Sequence, residues 1–368
     1  MSVSSLHRNE KKIRVGIIGA STDAGWARFA HVPALQALSD DYELVAVATT
    51  KQESAQRAAH AFGARLAFDN AHALAQSPDV DLVVVSVKAP QHEAAVTAAL
   101  EAGKNVLCEW PFGSNAEQAA NMEKLARARG VIGVVGLQAR STPEAHYVRD
   151  LLAQKTIGEV LAVNVYGVHP HWGLNTSSAY SADIRSGANL LTIPGGHTLD
   201  LVSYLCGDPV TLTAQLPNQI REAFAADKQT TITVSAPSQV ALCGTLPSGA
   251  VLTLQLLGFV PRSGSIDIHI AGTEGELILR GAGGAQIAEL EIEMRGKTDK
   301  PQMLSVPCDY DRLPAAGAAR SVAYAYRQLA LDLRAGKTPA IGFARGLQLH
   351  RVLDAIRESS AANAAVKV

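Results

Sequence analysis

An excess of charge of either sign is missing. Lys and Arg total 33 against 34 Asp and Glu in 368 residues, a formal net charge of -1. That leaves no electrostatic footprint for nucleic acid or an anionic membrane surface, both of which need a basic face. No apolar run reaches the roughly 20 residues that span a bilayer. The stretch from Met1 to Lys12 is polar and lacks the apolar centre of a signal peptide. A cytoplasmic protein with neither nucleic-acid nor membrane partners is expected. Cysteine is scarce as well: Cys108, Cys206, Cys243 and Cys308 are scattered, in neither metal-site nor disulfide-framework spacing. Reduced, mostly buried thiols are the expectation.

What is present is a soluble globular composition, 47% hydrophobic and 18% charged, on a chain long enough for two domains. Ile13 to Gly19 is a short apolar run ending in glycine, a buried strand feeding a tight turn. Helical spacing follows over 24–38, with Pro33 placed to kink or divide it. Strands at 43–48, 81–87, 105–108 and 131–137 then alternate with helices at 53–62, 91–101 and 114–129. Thr50 to Glu53 and Ser114 to Glu117 have capping-box form. Strands apolar on both faces, alternating with helices, predict a parallel sheet covered on both sides, an α/β Rossmann domain over residues 1–140.

Beyond Arg140 the texture changes. A helix at 143–154 and a strand at 159–168 precede an irregular His/Trp/Asn/Ser-rich stretch and a helix over 196–205. Period-2 strands then run to Glu293, and helices at 318–335 and 344–359 close the chain. This predicts a second α/β domain, 141–368, with a large, mostly antiparallel open sheet, the terminal helices having the option of packing on the first domain. Its outward face reads as more apolar than a free surface requires, so a homo-oligomer through that sheet is expected.

The turn from Gly16 to Ser21 departs from G-x-G-x-x-G, yet its glycines let backbone approach a pyrophosphate. NAD(P) is the expected cofactor. Where an acidic residue would hold the ribose 2'-hydroxyl after the second strand, the chain has Thr49, Thr50 and Lys51. One cation and no carboxylate tilt the expectation toward NADP, although Thr50 also suits a helix cap and Lys51 a solvated surface.

Five stretches then point one way: Gly16-Ile17-Ile18-Gly19, Glu109-Trp110-Pro111, Ile157-Gly158-Glu159-Val160, Gly196-His197-Thr198-Leu199-Asp200 and Ala271-Gly272-Thr273-Glu274-Gly275. In order along nearly the whole chain they resemble the glucose-fructose oxidoreductase and inositol dehydrogenase (Gfo/Idh/MocA) family, whose members oxidise or reduce sugars and cyclic polyols with NAD(P). Gly25-Trp26-Ala27, Cys108-Glu109-Trp110 and Leu137-Gln138-Ala139-Arg140 resemble the branch of that family containing the galactose-regulon repressor of yeasts, a dinucleotide-binding regulator. The resemblance and the turn together imply a cofactor set of Gly16, Gly19, Ser21, Gly25, Trp26, Thr49, Thr50, Lys51, Val87, His92, Glu109, Trp110 and Gln138.

Carried over residue by residue, the family's catalytic lysine falls on Trp110 and its aspartate on Ile193. His197 alone remains. Loss of the lysine removes a general acid/base expected to be worth roughly 10²- to 10⁴-fold in rate. His197 can act as acid/base or simply hydrogen-bond at a helix start. Trp110 can stack beside nicotinamide, roof the pocket, or fill core. His169 and His171 point the same way from an alternating strand end, and Trp172, Tyr180 and Asp200 complete an expected substrate set for a sugar or polyol. A His-x-His pair with no third ligand nearby is not read as a metal site. An oxidoreductase on CH-OH groups is the leading reading and a non-catalytic NAD(P)-binding regulator the alternative.

Overall fold

The structure, a computed structural model, describes residues 11–23, 25–170, 179–260, 263–296, 300–310 and 312–368. The described residues cluster into two compact units that interleave along the chain. The first comprises residues up to Glu109, Asn121–Gly136 and Leu313–Phe343; the second comprises Trp110–Ala120, Leu137–Arg312 and Ala344–Val368.

In the first unit, β1 (Ile13–Ile18) leads through a π-helical turn (Ala27–His31) into α1 (Val32–Ala37), β2 (Tyr42–Ala48), α2 (Gln52–Phe62), β3 (Leu66–Phe68) and α3 (Ala71–Gln76). Then come β4 (Leu82–Val85), α4 (His92–Glu101), β5 (Asn105–Glu109), α5 (Ala116–Arg129) and β6 (Gly133–Gly136). The strands form one parallel sheet in the order β3-β2-β1-β4-β5-β6. All four β4 residues are buried, as a sheet covered on both faces requires. Strand order reverses between β1 and β4, the switch point where such sheets bind ligands beyond their carboxyl ends.

Local chemistry explains the departures from the sequence reading. The expected helix over 24–38 is divided where the π turn meets α1, and Pro33 falls in the first turn of α1, where its missing N–H costs little. Neither capping box forms as spaced. α2 begins at Gln52 with Lys51 as its N-cap and no side-chain cap; Thr50 is therefore not the cap. At α5, Asn115 Oδ1 accepts from the Gln118 amide at 2.9 Å while Gln118 Oε1 accepts from the Ser114 amide at 2.8 Å, one residue later than expected.

In the second unit, α6 (Pro143–Ala153) is capped by Thr142, whose hydroxyl accepts from the Ala145 amide at 3.3 Å. β7 (Val160–His169), α7 (Gly196–Cys206), β8 (Thr211–Gln215), β9 (Glu222–Ala225), β10 (Thr230–Thr233), β11 (Gln239–Thr245) and β12 (Val251–Gly258) follow. After them come β13 (Ser265–Gly272), β14 (Gly275–Ala282), β15 (Glu291–Gly296) and β16 (Gln302–Leu304). α8 (Ala318–Ala335) belongs to the first unit, and α9 (Phe343–Ala362) and β17 (Val366–Lys367) close the chain. The large sheet runs β16-β15-β14-β13-β7-β12-β11-β8-β17. β7 and β12 pair in parallel and the other neighbours are antiparallel.

The outward face is more polar than expected. Leu252, Leu254 and Leu256 all turn to the buried side of β12, because successive side chains alternate. The other face carries Thr253 hydrogen-bonded to Asn164 at 2.6 Å and a charged ladder in which Arg280 bridges Asp267 and Glu293, with Arg295 also on Glu293. Over β7, β8, β11 and β12 that face holds an open concavity of about 560 Å³ whose lining includes Tyr166, Thr213, Gln215, Cys243, Thr253 and Gln255.

Candidate functional site

The turn after β1 is built for close backbone approach. Gly19 has φ +95°, and a Cβ there would lie 2.5 Å from the Ser86 carbonyl oxygen and 2.9 Å from Val87 Cγ1. Gly25 has φ +112° with open space around it, so the loop is free of side chains at both ends. Between them Ser21 Oγ accepts from the Asp23 amide at 3.2 Å. His92, buried, lies with Nε2 3.0 Å from the Val87 carbonyl and fixes the loop after β4. A tight glycine turn at the β1/β4 switch point fits a dinucleotide pyrophosphate. Gly16 has a different place: it lies inside β1, in register with Ala46 and Val83, and a Cβ there would stand 2.8 Å from Leu74 Cδ2. Its backbone belongs to the sheet and its missing side chain makes room for α3, which corrects its assignment to the phosphate turn.

After β2, Thr49 Oγ1 bonds Ser54 Oγ at 2.6 Å, and Thr50 and Lys51 are exposed at the start of α2. Trp26 is half-buried just ahead of the π turn. Gln138, two residues beyond β6, is buried, and neither its Oε1 nor its Nε2 has a hydrogen-bond partner among the described residues.

In the second unit Trp110 is core. It is 4% exposed, donates its indole N–H to the Thr192 carbonyl at 2.6 Å, and stacks at 4.8 Å on His350 of α9. A Cβ on Gly196 would fall 2.4 Å from the indole nitrogen, so only glycine lets the ring lie across the start of α7. His197, the next residue, is 3% exposed in the first turn of that helix. The cofactor-stacking option for Trp110 therefore gives way to packing. His350 Nε2 accepts from the Gly113 amide at 3.2 Å, and burial pushes its pKa down to about 3.

Asp200 also has a structural occupation. Its carboxylate is 1% exposed and accepts from Arg140 Nε at 2.7 Å and from Arg345 Nε at 2.7 Å, with Arg140 Nη2 on Oδ1 as well. Arg345 continues to Asp208 at 2.7 and 2.8 Å. Saturated and enclosed, this carboxylate does not face a substrate, which corrects its place in the expected substrate set. Arginine is always charged and forks onto carboxylates, so Arg140 and Arg345 were the missed signal.

His169 ends β7 opposite Gly258, and a Cβ on Gly258 would be 3.3 Å from Leu190, next to the turn that starts α7. It is 9% exposed, and burial lowers its pKa to about 4, so it is neutral at physiological pH. Tyr180 is partly buried. His171 and Trp172 lie outside the described residues. Among the described residues no group of three His, Cys, Asp or Glu side chains could hold a metal, and no helix is long and apolar enough to cross a membrane.

Residues 13–137 match the model of the Gfo/Idh/MocA oxidoreductase family, NAD-binding Rossmann fold, and residues 143–281 match that of the Gal80p C-terminal domain. The dehydrogenase aclE of Aspergillus oryzae is 38% identical over 210 residues, covering 55% of this chain and 57% of its own length, so this chain spans little more than half of that relative. The galactose/lactose metabolism regulatory protein GAL80 of Kluyveromyces lactis is 28% identical over 317 residues, 78% of this chain and 68% of that protein. A levoglucosan dehydrogenase solved with NADH and L-sorbose shares the fold, with a TM-score of 0.85 at 20% identity over 97% of this chain and 99% of that one. Residues 13–137 thus carry the NAD-binding Rossmann fold of the Gfo/Idh/MocA oxidoreductase family, and residues 143–281 a C-terminal domain of Gal80p type.

Proposed function

We propose that the protein is an NAD(P)-dependent oxidoreductase that moves a hydride to or from a CH-OH carbon of a sugar, polyol or related cyclic alcohol, at an atypical site lacking the family's lysine and aspartate. The observation that carries this reading is the turn after β1, where Ser86 and Val87 approach too closely for any residue but glycine at position 19. The nicotinamide, when bound, supplies the carbon that takes or gives the hydride. His197 handles the alcohol proton, since an imidazole suits proton transfer near neutral pH. Neutral His169 and partly buried Tyr180 orient the substrate. Exposed Lys51, with no carboxylate at the end of β2, favours NADP over NAD. The concave neutral face over β8, β11, β12 and β7 suits self-association of two copies about a twofold axis. The compartment that fits four free cysteines is the cytoplasm.

A second reading, a non-catalytic NAD(P)-binding regulator, is favoured by one observation: Trp110, in the lysine's place, is spent on core packing against Thr192 and His350. The His197→Ala variant separates the two. An enzyme loses turnover by roughly 10²- to 10⁴-fold while its NAD(P)H affinity is kept. Turnover equal to the parent's removes His197 as the acid/base, and no turnover by either protein across aldoses and cyclic polyols leaves the regulator.

A further inference from the structure

The parallel pair β7 and β12 ends at one edge of the large sheet, with His169 opposite Gly258. The residue after Gly258 is Phe259, whose backbone sits in the left-handed region at φ +61°. Among the described residues three other non-glycine residues have positive φ: Lys155, Gln229 and Asn363, all of them polar and exposed. A phenylalanine in that region is an outlier, because its Cβ crowds the neighbouring carbonyl where glycine enters without cost. Residues of this kind persist where the surrounding structure imposes them, and they concentrate at ligand sites.

What surrounds Phe259 is a small apolar cluster of Ala182, Ala223 and Val234, with partly buried Ile232 and Phe259 packed against it. Ala223 and Ile232 face each other across the β9–β10 hairpin, and Val234 follows β10. Ala182 ends the 3-10 turn, Ala179–Ala182, that carries Tyr180. Its carbonyl accepts from the Ser235 and Ala236 amides, each at 2.9 Å, while Ser235 Oγ accepts from the Ile184 amide at 3.0 Å. The hairpin therefore ties the Tyr180 turn to the strand end that carries Phe259. Packing alone does not call for a strained residue here, since the Phe259 side chain stays partly exposed.

Resting on the sugar and polyol reading above, we propose that Phe259 determines substrate class: its ring stacks on the C–H face of a cyclic substrate, a pyranose or cyclitol, at the strand end that carries His169. An aromatic face is negative and the C–H bonds of a saturated ring meet it with their positive ends. An open-chain polyol offers no rigid face of that kind. Calorimetric titration of the full chain, saturated with NADH, tests this with myo-inositol, D-glucose and, as the open-chain control, D-sorbitol. The parent binds the rings more tightly than sorbitol. Phe259→Leu weakens the rings about fivefold and sorbitol less than about twofold, and leaves NADH affinity unchanged. Phe259→Tyr keeps the aromatic face and stays within about twofold of the parent. If the leucine variant fails to fold, Phe259→Asn, which tolerates the left-handed backbone, carries the same comparison. A loss that reaches sorbitol or NADH equally marks a structural role, and unchanged ring affinity in folded variants removes the contact; either result overturns the proposal. A parent that binds NADH but none of the three polyols and sugars refutes the sugar and polyol reading itself.

Discussion

The indole N–H of Trp110 is given to the carbonyl of Thr192 at 2.6 Å, in the turn that introduces His197. Trp110 therefore braces the segment that carries His197. Trp110→Phe keeps most of the apolar volume and removes the indole donor, leaving the Thr192 carbonyl with the Gly196 amide alone. A loss of about 0.5–1.5 kcal/mol is expected in denaturant titrations. Stability within about 0.5 kcal/mol of the parent would show that the hydrogen bond holds nothing.

Asp200 joins Arg140 and Arg345 in a buried network. Asp200→Asn removes the carboxylate that Arg140 and Arg345 share, leaving Arg345 its pair with Asp208 and the buried Arg140 without this counter-charge, and destabilisation of about 3–5 kcal/mol follows. The same substitution reporting chiefly as a raised KM in a protein of parental stability would return Asp200 to the substrate set.

Two histidines set an acid limit. Burial lowers His169 to about 4 and His350 to about 3, while the unfolded chain titrates near 6.5. The folded values are the depressed ones, so the unfolded state takes up protons first as pH falls. Their contribution is fully present above about pH 6.5 and is lost between there and pH 4 to 3, on the order of 3–5 kcal/mol each. Protonation of His350 at Nε2 also abolishes its acceptance from Gly113. Unfolding free energies measured at pH 7, 5 and 4 should fall steadily, and His350→Gln should flatten the curve. A parent curve already flat over that range contradicts the burial account.

Lys51 is the cation available at the end of β2. Lys51→Ala is expected to weaken NADPH about five- to tenfold and leave NADH within about twofold. Fluorescence titration with both nucleotides decides it, and equal effects on the two would make Lys51 an ordinary surface lysine.

The Rossmann half was legible in the sequence because its strands are short, apolar on both faces and punctuated by glycine. β3 and α3, at three and six residues, are too short for periodicity to reveal. The capping boxes slipped because Thr50-Glu53 and Ser114-Glu117 have the right spacing one residue away from where the helices start, and spacing alone does not fix a helix's first turn. At the site, Gly19 and Gly25 were readable as turn glycines, whereas Gly16, of the same type, is used for packing. The occupations of Trp110 and Asp200 depend on His350 and Arg345, more than 140 residues away along the chain, and no local pattern links them.

Hydride transfer itself is the most direct test. Incubating the protein with NAD or NADP and a panel of carbon-deuterated sugars and cyclic polyols, then recovering the nucleotide for mass spectrometry, asks whether deuterium reaches the cofactor. An oxidoreductase delivers label to the reduced nucleotide, and His197→Ala delivers far less from the same bound cofactor. Tight nucleotide binding with no label from any member of the panel would contradict the enzyme reading and leave the protein a dinucleotide-binding regulator.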